Sequence, residues 1–336
     1  MRRKLLILFS IMVLISAVST VFILFTNKEV DQEDEKLTIV TSFYPIYVAT
    51  KNVVSDIDGI ELINLAENQI GCLHDYQLTT KDMKKLENAD IFIINGGGIE
   101  SFATDIVKNY PDITMIDSSK GIEFLPSMEE HDHGHGEHIE GESIEEEDHE
   151  EEGTVSEQRG SYHHEELNPH IWLDPDNYIK QVENIKNGLI EYDESNGKKY
   201  NENARGYEEK IGQIEKELIE KLKEPKNKDV VIFHDSFAYL AKKLGLEVVH
   251  TVNIESDTSL SAGEMKEIIQ EINLHDVKVL FSEEQYSDAI PFNIGKETGA
   301  KVYVIDSLVT GEEDKDSYIR GMKKNIKTLE EALKNR

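Results

Sequence analysis

The stretch Asn168-Pro169-His170-Ile171-Trp172-Leu173-Asp174-Pro175 connects the two halves of the chain. A proline near each end fixes φ at about −65° and disfavours a helical conformation in the residue before it, which predicts a stiff, extended connector. Trp172, the only tryptophan, follows His170 by two residues, and side chains two apart on an extended segment face the same side. The octapeptide therefore suits a metal ligand held beside a large apolar ring, but a tight turn whose histidine caps a neighbouring element fits it equally well.

Short β-branched runs alternate with helical patterns on both sides of this connector. We predict strands at Leu37–Ser42, Glu61–Leu65, Ile91–Asn95, Thr114–Ile116, Val230–Phe233, Glu247–Val252, Val279–Ser282 and Val302–Ile305. Two of the intervening helices begin with capping-box spacing, at Thr79/Asp82 and Ser261/Glu264. The alternation predicts an α/β protein with two lobes, each built on a mostly parallel sheet.

A long helix is predicted between the lobes. Apolar residues recur at steps of three and four from Tyr200 to Leu222, and between Gly197 and Pro225 only Gly206 and Gly212 weaken the helical pattern. At a rise of 1.5 Å per residue this helix is about 40 Å long, which suits a rigid strut that joins two lobes. The alternative is an ordinary surface helix of one lobe.

The first residues of the chain have the pattern of a membrane segment. Arg2, Arg3 and Lys4 precede an apolar run from Leu5 to Phe25 that only Ser and Thr interrupt. A span needs about 20 apolar residues, and basic residues before it stay on the cytoplasmic side, so the body is predicted to be exported. We expect an uncleaved anchor; the alternative is a signal peptide cleaved after Ala17-Val18-Ser19.

These patterns predict the following division of the chain: 1–27, membrane anchor or signal; 28–36, acidic tether; 37–127, N-terminal α/β lobe; 128–166, loop rich in His, Asp and Glu; 167–195, connector and first linker helix; 196–225, long inter-lobe helix; 226–336, C-terminal α/β lobe.

The charge and cysteine content restrict the partners. The net charge is −31, and the segment 128–166 alone carries sixteen acidic residues and one arginine, a net charge of −15. Such a chain repels nucleic acid and anionic lipid, so neither is an expected partner, whereas metal cations are. Cys72 is the only cysteine, which excludes an internal disulfide and is best interpreted as a small buried residue.

Four potential metal ligands stand at or near predicted strand ends or on the connector. His234 directly follows one strand, Asp306 directly follows another, His74 lies in a loop after a third, and His170 is on the connector. Ligands bind at the carboxyl ends of strands in open α/β sheets, so we expect these side chains to meet in a cleft. Three imidazoles and a carboxylate form a four-ligand shell suited to Zn²⁺.

The sequence resembles the cluster A-I (also called cluster 9) solute-binding proteins, which deliver Zn²⁺ or Mn²⁺ to ABC importers. The resemblance runs from about residue 36 to the C-terminus, through His74-Asp75-Tyr76 with Lys81–Leu86, the octapeptide, Phe233–Phe237, and Glu297–Val302 with Asp306. It implies two α/β lobes bridged by one long helix, with the metal ligands at His74, His170, His234 and Asp306. Zinc members have His at the third of these positions and manganese members have Glu, so His234 implies zinc. The affinity of imidazole for Zn²⁺ favours the same ion.

This sequence departs from the family pattern at its anchor, because it lacks the lipidated cysteine of many Gram-positive members. The assignment of Asp306 as a ligand also stays open, since in some zinc members water or another carboxylate completes the shell. Segment 128–166, where zinc members often have a similar loop, is interpreted as a weak zinc collector through His131, His133, His135, His138, His149, His163 and His164. The alternative is a solvated acidic loop.

We therefore interpret the chain as a monomeric, exported, non-enzymatic zinc receptor that delivers Zn²⁺ to an ABC permease. One alternative is a receptor of the same fold for Mn²⁺ or another divalent ion. A second is a zinc hydrolase, for which Glu283 or Glu284 would have to supply the general base; otherwise these acids are candidates for a supporting role around the ligands. A third is a metal store or adhesin.

Overall fold

A computed structural model of the chain describes residues 12, 36–67, 73, 76–127, 167–252, 260–285 and 289–334. Two four-stranded sheets, one on each side of the connector, form the centres of two α/β lobes. Every strand pair in both sheets is parallel, which confirms the fold class predicted from the strand–helix alternation.

The first sheet has the strand order β2-β1-β3-β4. Its strands are β1 (Leu37–Thr41), β2 (Ile60–Asn64), β3 (Ile91–Ile94) and β4 (Thr114–Asp117), and its helices are α1 (Tyr44–Val53), α2 (Thr80–Glu87) and α3 (Ala103–Asn109). The predicted capping box opens α2: the Thr79 hydroxyl accepts from the backbone N–H of Asp82, and the Asp82 carboxylate accepts from that of Thr79. This lobe's β1 and β3 are the buried central strands.

The connector is not extended throughout, contrary to the prediction. Two short antiparallel strands, β5 (Leu125–Pro126) and β6 (Leu167–Asn168), lead into a 3₁₀ turn at Ile171–Leu173. The helix α4 (Pro175–Tyr192) follows directly, with Asp174 as its N-cap. The second proline therefore starts a helix at its first position, where the missing N–H costs no hydrogen bond.

The long helix α5 (Gly197–Leu222) ends three residues before Pro225. Its buried face contacts α4, the first-lobe helix α1 and the C-terminal helix, so it lies against both lobes. This arrangement confirms the predicted long helix between the lobes. The residues that form the buried face are Gly197, Tyr200, Ala204, Tyr207, Ile211, Ile214, Leu218 and Leu222.

The second sheet has the order β10-β9-β7-β8. Its strands are β7 (Asp229–Ile232), β8 (Glu247–Thr251), β9 (Val279–Glu283) and β10 (Lys301–Ile305). Its helices are α6 (Ala238–Leu244), α7 (Ala262–Leu274), α8 (Ala289–Thr298) and the C-terminal α9 (Ser317–Lys334). The predicted capping box between Ser261 and Glu264 is present at the start of α7.

Aromatic side chains fill the space between the lobes. Tyr178 of α4 stacks on Tyr318 of α9 with ring centroids 3.9 Å apart, and its hydroxyl donates to the Pro45 carbonyl of the first lobe. Trp172 is fully buried, lies edge-on to Phe43 of the first lobe, and donates from its indole N–H to the Ser307 carbonyl of the second lobe. The connector is thus tied to both lobes by direct contacts.

Several sequence predictions lie outside the described residues: Cys72, His74, the loop 128–166 and nearly all of the anchor and tether. Among the described helices, none combines the length and the apolar character needed to cross a membrane.

Candidate metal centre

Strand register places His234 beside Glu283. In the parallel pair of β7 and β9, Ile232 is opposite Phe281, so the residues two further along each strand are also neighbours. His234 Nδ1 is accordingly hydrogen-bonded to Glu283 Oε1, and the Ser236 hydroxyl donates to the same oxygen. His234 and Glu283 are 2% and 1% exposed, so this contact is shielded from water.

Glu283 is held as a carboxylate. Burial by itself raises the pKa of this side chain, but the neighbouring His234 and the hydrogen bonds from His234 and Ser236 bring it below its ordinary value. An ionised Glu283 accepts a hydrogen bond from the Nδ1–H group of His234. Nε2 is then the basic nitrogen of that ring. This is the pattern of a metal-binding histidine that is oriented by a carboxylate.

Asn168 fixes His170 in the same tautomer. The Asn168 side-chain N–H donates to the Asp235 carbonyl at 3.0 Å, so its amide oxygen must face the other way, towards His170. That oxygen accepts from the backbone N–H of His170 at 2.9 Å and lies 3.0 Å from His170 Nδ1. Because an amide oxygen can only accept, Nδ1 carries the proton and Nε2 is the basic nitrogen.

The two oriented imidazoles lie next to each other. Their ring centroids are 4.7 Å apart at an interplanar angle of 76°, and His170 is only 1% exposed. The Trp172 ring lies 5.3 Å from that of His170, so the predicted imidazole beside a large apolar ring exists, although a turn rather than an extended segment produces it. Two buried imidazoles that are next to each other are chemically suited to a borderline-soft divalent ion.

The first lobe supports the connector through the end of β3. The Asn95 side chain donates to the Pro169 carbonyl and accepts from Gln181 of α4. The Glu100 carboxylate in turn accepts from the backbone N–H groups of Asn95 and Gly96 at 2.7 and 3.1 Å. Burial raises the pKa of Glu100 to about 7, so this carboxyl group titrates near neutral pH.

Asp306 occupies a neighbouring cavity of about 530 Å³. It directly follows β10, whose last residue Ile305 is opposite Glu283, so it lies one residue beyond the edge of the sheet at which β9 also ends. Its Oδ1 accepts from the Gln285 side chain at 3.0 Å and from the Leu308 backbone N–H at 2.9 Å. The residues that line the cavity include Asp306, Tyr44 and Glu284 but neither His170 nor His234.

The structure thus brings together two of the four ligands predicted from the sequence. His74 and the seven loop histidines lie outside the described residues, and within the described ranges no group of three His, Cys, Asp or Glu side chains is arranged to hold a metal. Glu284 lines the same cavity as Asp306 and pairs with Lys324 at the surface.

Two residues that support the imidazoles were not identified from the sequence. Asn168 belongs to the octapeptide, but the sequence pattern assigned it no role. It also assigned no role to Ser236, which lies two residues after His234. The signal that would have found Asn168 is its place two residues before His170, because a short amide side chain can reach the backbone N–H two residues further on. Ser236 carries no such signal, because its partner Glu283 is distant in sequence.

Comparisons with known proteins identify the family of the chain. The family model described as zinc-uptake complex component A, periplasmic (ZnuA) matches residues 39–332. The chain is 30% identical over 309 residues to the zinc-binding lipoprotein AdcA of Streptococcus pneumoniae (strain R6), a match that covers 90% of this chain and 56% of AdcA. It is 29% identical over 314 residues to the high-affinity zinc uptake system protein ZnuA of Bacillus subtilis, which covers 92% of this chain and 91% of that protein.

A solved structure extends the likeness to three dimensions. The Zn(II)-bound ZnuA-like domain of Streptococcus pneumoniae AdcA superposes with a TM-score of 0.68 at 26% identity, over 89% of this chain and all of that domain. The chain spans about half the length of the AdcA proteins that it matches. The resemblance seen in the four sequence motifs is confirmed, and the chain belongs to the ZnuA family.

Proposed function

We propose that this protein is an extracytoplasmic receptor that binds Zn²⁺ and delivers it to an ABC import permease. The observation that carries the proposal is the pair of buried imidazoles, His170 and His234, with each Nδ1 held by an oxygen acceptor. Orientation by such acceptors makes Nε2 the donor atom of both rings and raises its basicity. The names of the relatives, zinc-binding AdcA and zinc-uptake ZnuA, support the same cargo and the same kind of partner.

We propose that His74 and Asp306 complete the ligand set. Imidazole nitrogens and one carboxylate satisfy the four-coordinate preference of Zn²⁺. Gln285 and Leu308 both donate to Asp306 Oδ1, so Oδ2 is the oxygen through which Asp306 would bind the ion. Glu283 has a different role in this proposal: it holds His234 and balances part of the charge of the bound ion.

Family membership favours a receptor over the hydrolase considered from the sequence, since the family consists of solute-binding proteins. The contacts of the two candidate bases agree with this preference. Glu283 is used to orient His234, and Glu284 pairs with Lys324. Neither carboxylate is therefore placed to activate a water molecule on a metal bound by the histidines.

We further propose that the protein acts as a monomer, anchored by the apolar run Leu5–Phe25, and that segment 128–166 collects zinc weakly through its seven histidines. The length of the run and the charge and histidine content of the segment support these proposals. Mass spectrometry of membrane-extracted protein tests the anchor: peptides that precede Ala17 are expected, and a mature form that starts at Thr20 would refute it.

Elemental analysis and titration of the purified protein test the main proposal. The wild type should retain zinc after purification without added metal and should prefer Zn²⁺ to Mn²⁺ in competition with a chelator. His170→Ala and Asp306→Asn should each weaken zinc binding, whereas Glu297→Gln, a change of an exposed acid in α8, should not. A wild-type protein that prefers Mn²⁺, or that cleaves ester or peptide substrates when zinc is bound, would refute it.

A further inference from the structure

The short helix α6 begins four residues after His234 and directs two polar side chains towards the connector that carries His170. These side chains are Tyr239 and Lys243, which are four residues apart and therefore lie on the same face of the helix. One contacts the connector before His170 and the other contacts it after His170.

Tyr239 holds the connector on the side that precedes His170. Its hydroxyl donates to the Asn168 carbonyl at 2.7 Å and accepts from the Leu125 backbone N–H at 2.9 Å. The residue fixed in this way is the one whose amide oxygen orients His170 Nδ1. The Asn168 side chain is also bound to the Asp235 carbonyl, in the turn that leads into α6. A hydroxyl of α6 thus binds the backbone of the same residue whose side chain sets the His170 tautomer.

Lys243 holds the connector on the side that follows His170. Its ammonium group lies 2.9 Å from Asp174 Oδ1, 2.6 Å from Asp176 Oδ2 and 3.3 Å from Glu215 Oε1, and the side chain is 10% exposed. Asp174 is the N-cap of α4, so the ion pair is made with the residue that ends the 3₁₀ turn. Burial favours the neutral amine, but the neighbouring carboxylates raise the pKa of Lys243 above its ordinary value and keep it charged.

We propose that Tyr239 and Lys243 are positioning residues for the metal centre, which together hold the connector at Asn168 and Asp174 and thereby set the His170 ring relative to the His234 ring. This inference rests on the proposed function, since it assumes that both imidazoles bind the ion. The inference follows from the continuity of α6 with the turn that begins after His234. A displacement of α6 moves His234 together with Tyr239 and Lys243, which hold the connector on either side of His170.

The test uses the whole 336-residue chain in detergent and measures three properties of Tyr239→Phe, Lys243→Met and Lys243→Arg. These are zinc affinity by chelator competition, the visible absorption spectrum of the Co²⁺-loaded protein, and the thermal unfolding midpoint of the metal-free protein. Co²⁺ is used because its absorption reports the ligand geometry, which a loss of stability alone does not alter. Tyr200→Phe is the matched control for Tyr239→Phe. Tyr200 lies at the start of α5, and its hydroxyl also donates a partly buried hydrogen bond, to Asp193 at 2.8 Å. Lys221→Met is the control for the loss of a lysine ion pair.

Tyr239→Phe and Lys243→Met are each expected to lower zinc affinity by about tenfold, the lower end of the range for groups that support metal ligands, and to change the Co²⁺ spectrum. Lys243→Arg should keep near-wild-type affinity, since a guanidinium also pairs with two carboxylates. If Tyr239→Phe and Lys243→Met match their controls in both metal readouts, the inference is wrong although the protein still binds zinc. Failure of the wild type to bind zinc would instead refute the proposed function.

Discussion

The imidazole of His170 lies edge-on to that of His234, with the ring centroids 4.7 Å apart. One ring comes from the connector and the other from the second lobe, so the site forms only when these parts are packed together. If both rings bind the ion through Nε2 as proposed, zinc and protons compete for the same atoms, and two cationic rings at this distance would also repel each other. Zinc binding is therefore expected to weaken in acid.

If His234 is a zinc ligand as proposed, its side chain should set the preference of the site between Zn²⁺ and Mn²⁺. His234→Glu replaces a borderline-soft nitrogen by a hard oxygen, adds a negative charge beside Glu283 and allows bidentate coordination. We expect a smaller preference for Zn²⁺ over Mn²⁺, with zinc still ahead because the Irving–Williams order favours it. His234→Ala should lower zinc affinity without helping manganese. Competition of both ions against a chelator measures the ratio; unchanged binding in both variants would show that His234 is not a ligand.

The two adjacent acids at the end of β9 should behave differently. Glu283→Gln removes the charge that holds His234 Nδ1, and we expect zinc affinity to fall by about tenfold to a hundredfold. Glu284→Gln is the control, because this half-exposed carboxylate pairs with Lys324 instead. Chelator competition at one pH compares them. An equal, small effect of both changes would mean that Glu283 contributes only general negative charge.

We expect that segment 128–166 can be shortened without displacing the proposed site. Its two ends continue from β5 and β6, in which Pro126 is paired with Leu167, so deletion of residues 131–164 leaves a short connection between neighbouring strands. We expect a zinc titration to retain one tight ion and to lose the weaker phase, since the deletion removes the seven histidines that are proposed to collect zinc weakly. Loss of the tight ion would place the main site in the loop.

Glu100 gives the metal-free protein a specific pH dependence. Its pKa is about 7 in the folded protein, above the value of about 4.3 for a free glutamate, so the folded state holds the proton more tightly. The resulting stabilisation is complete below about pH 4.3 and is lost as the pH rises through 7. Between pH 5 and 8 the free energy of unfolding of the wild type should fall by up to about 3 kcal/mol more than that of Glu100→Gln.

Urea unfolding at the two pH values, with a chelator present, measures this difference. Glu297→Gln should keep the wild-type pH dependence, because that side chain is exposed. A Glu100→Gln protein with the same pH dependence as the wild type would show that Glu100 does not titrate in this range.

Local sequence determined most of the elements of this fold. The β-branched runs, the capping boxes at Thr79 and Ser261 and the apolar period of Gly197–Leu222 are each encoded within a few neighbouring residues, and their physical causes are equally local. The octapeptide and the other three motifs identified the family in the same way. The candidate ligands His170 and His234 were also predicted, because they stand at the connector and at a strand end.

Tertiary structure alone decided how these residues are used. Glu283 meets His234 across 49 positions of sequence because parallel strand register aligns them, and register is set by the packing of the whole sheet. The connector forms a turn rather than an extended strand because burial of Trp172 between the lobes outweighs a weak local preference. Asp306 stands at its predicted strand end, but its contacts with Gln285 and Leu308 depend on where those residues lie in the folded chain. Sequence thus determined which side chains are available to the site, and long-range packing determined which of them meet.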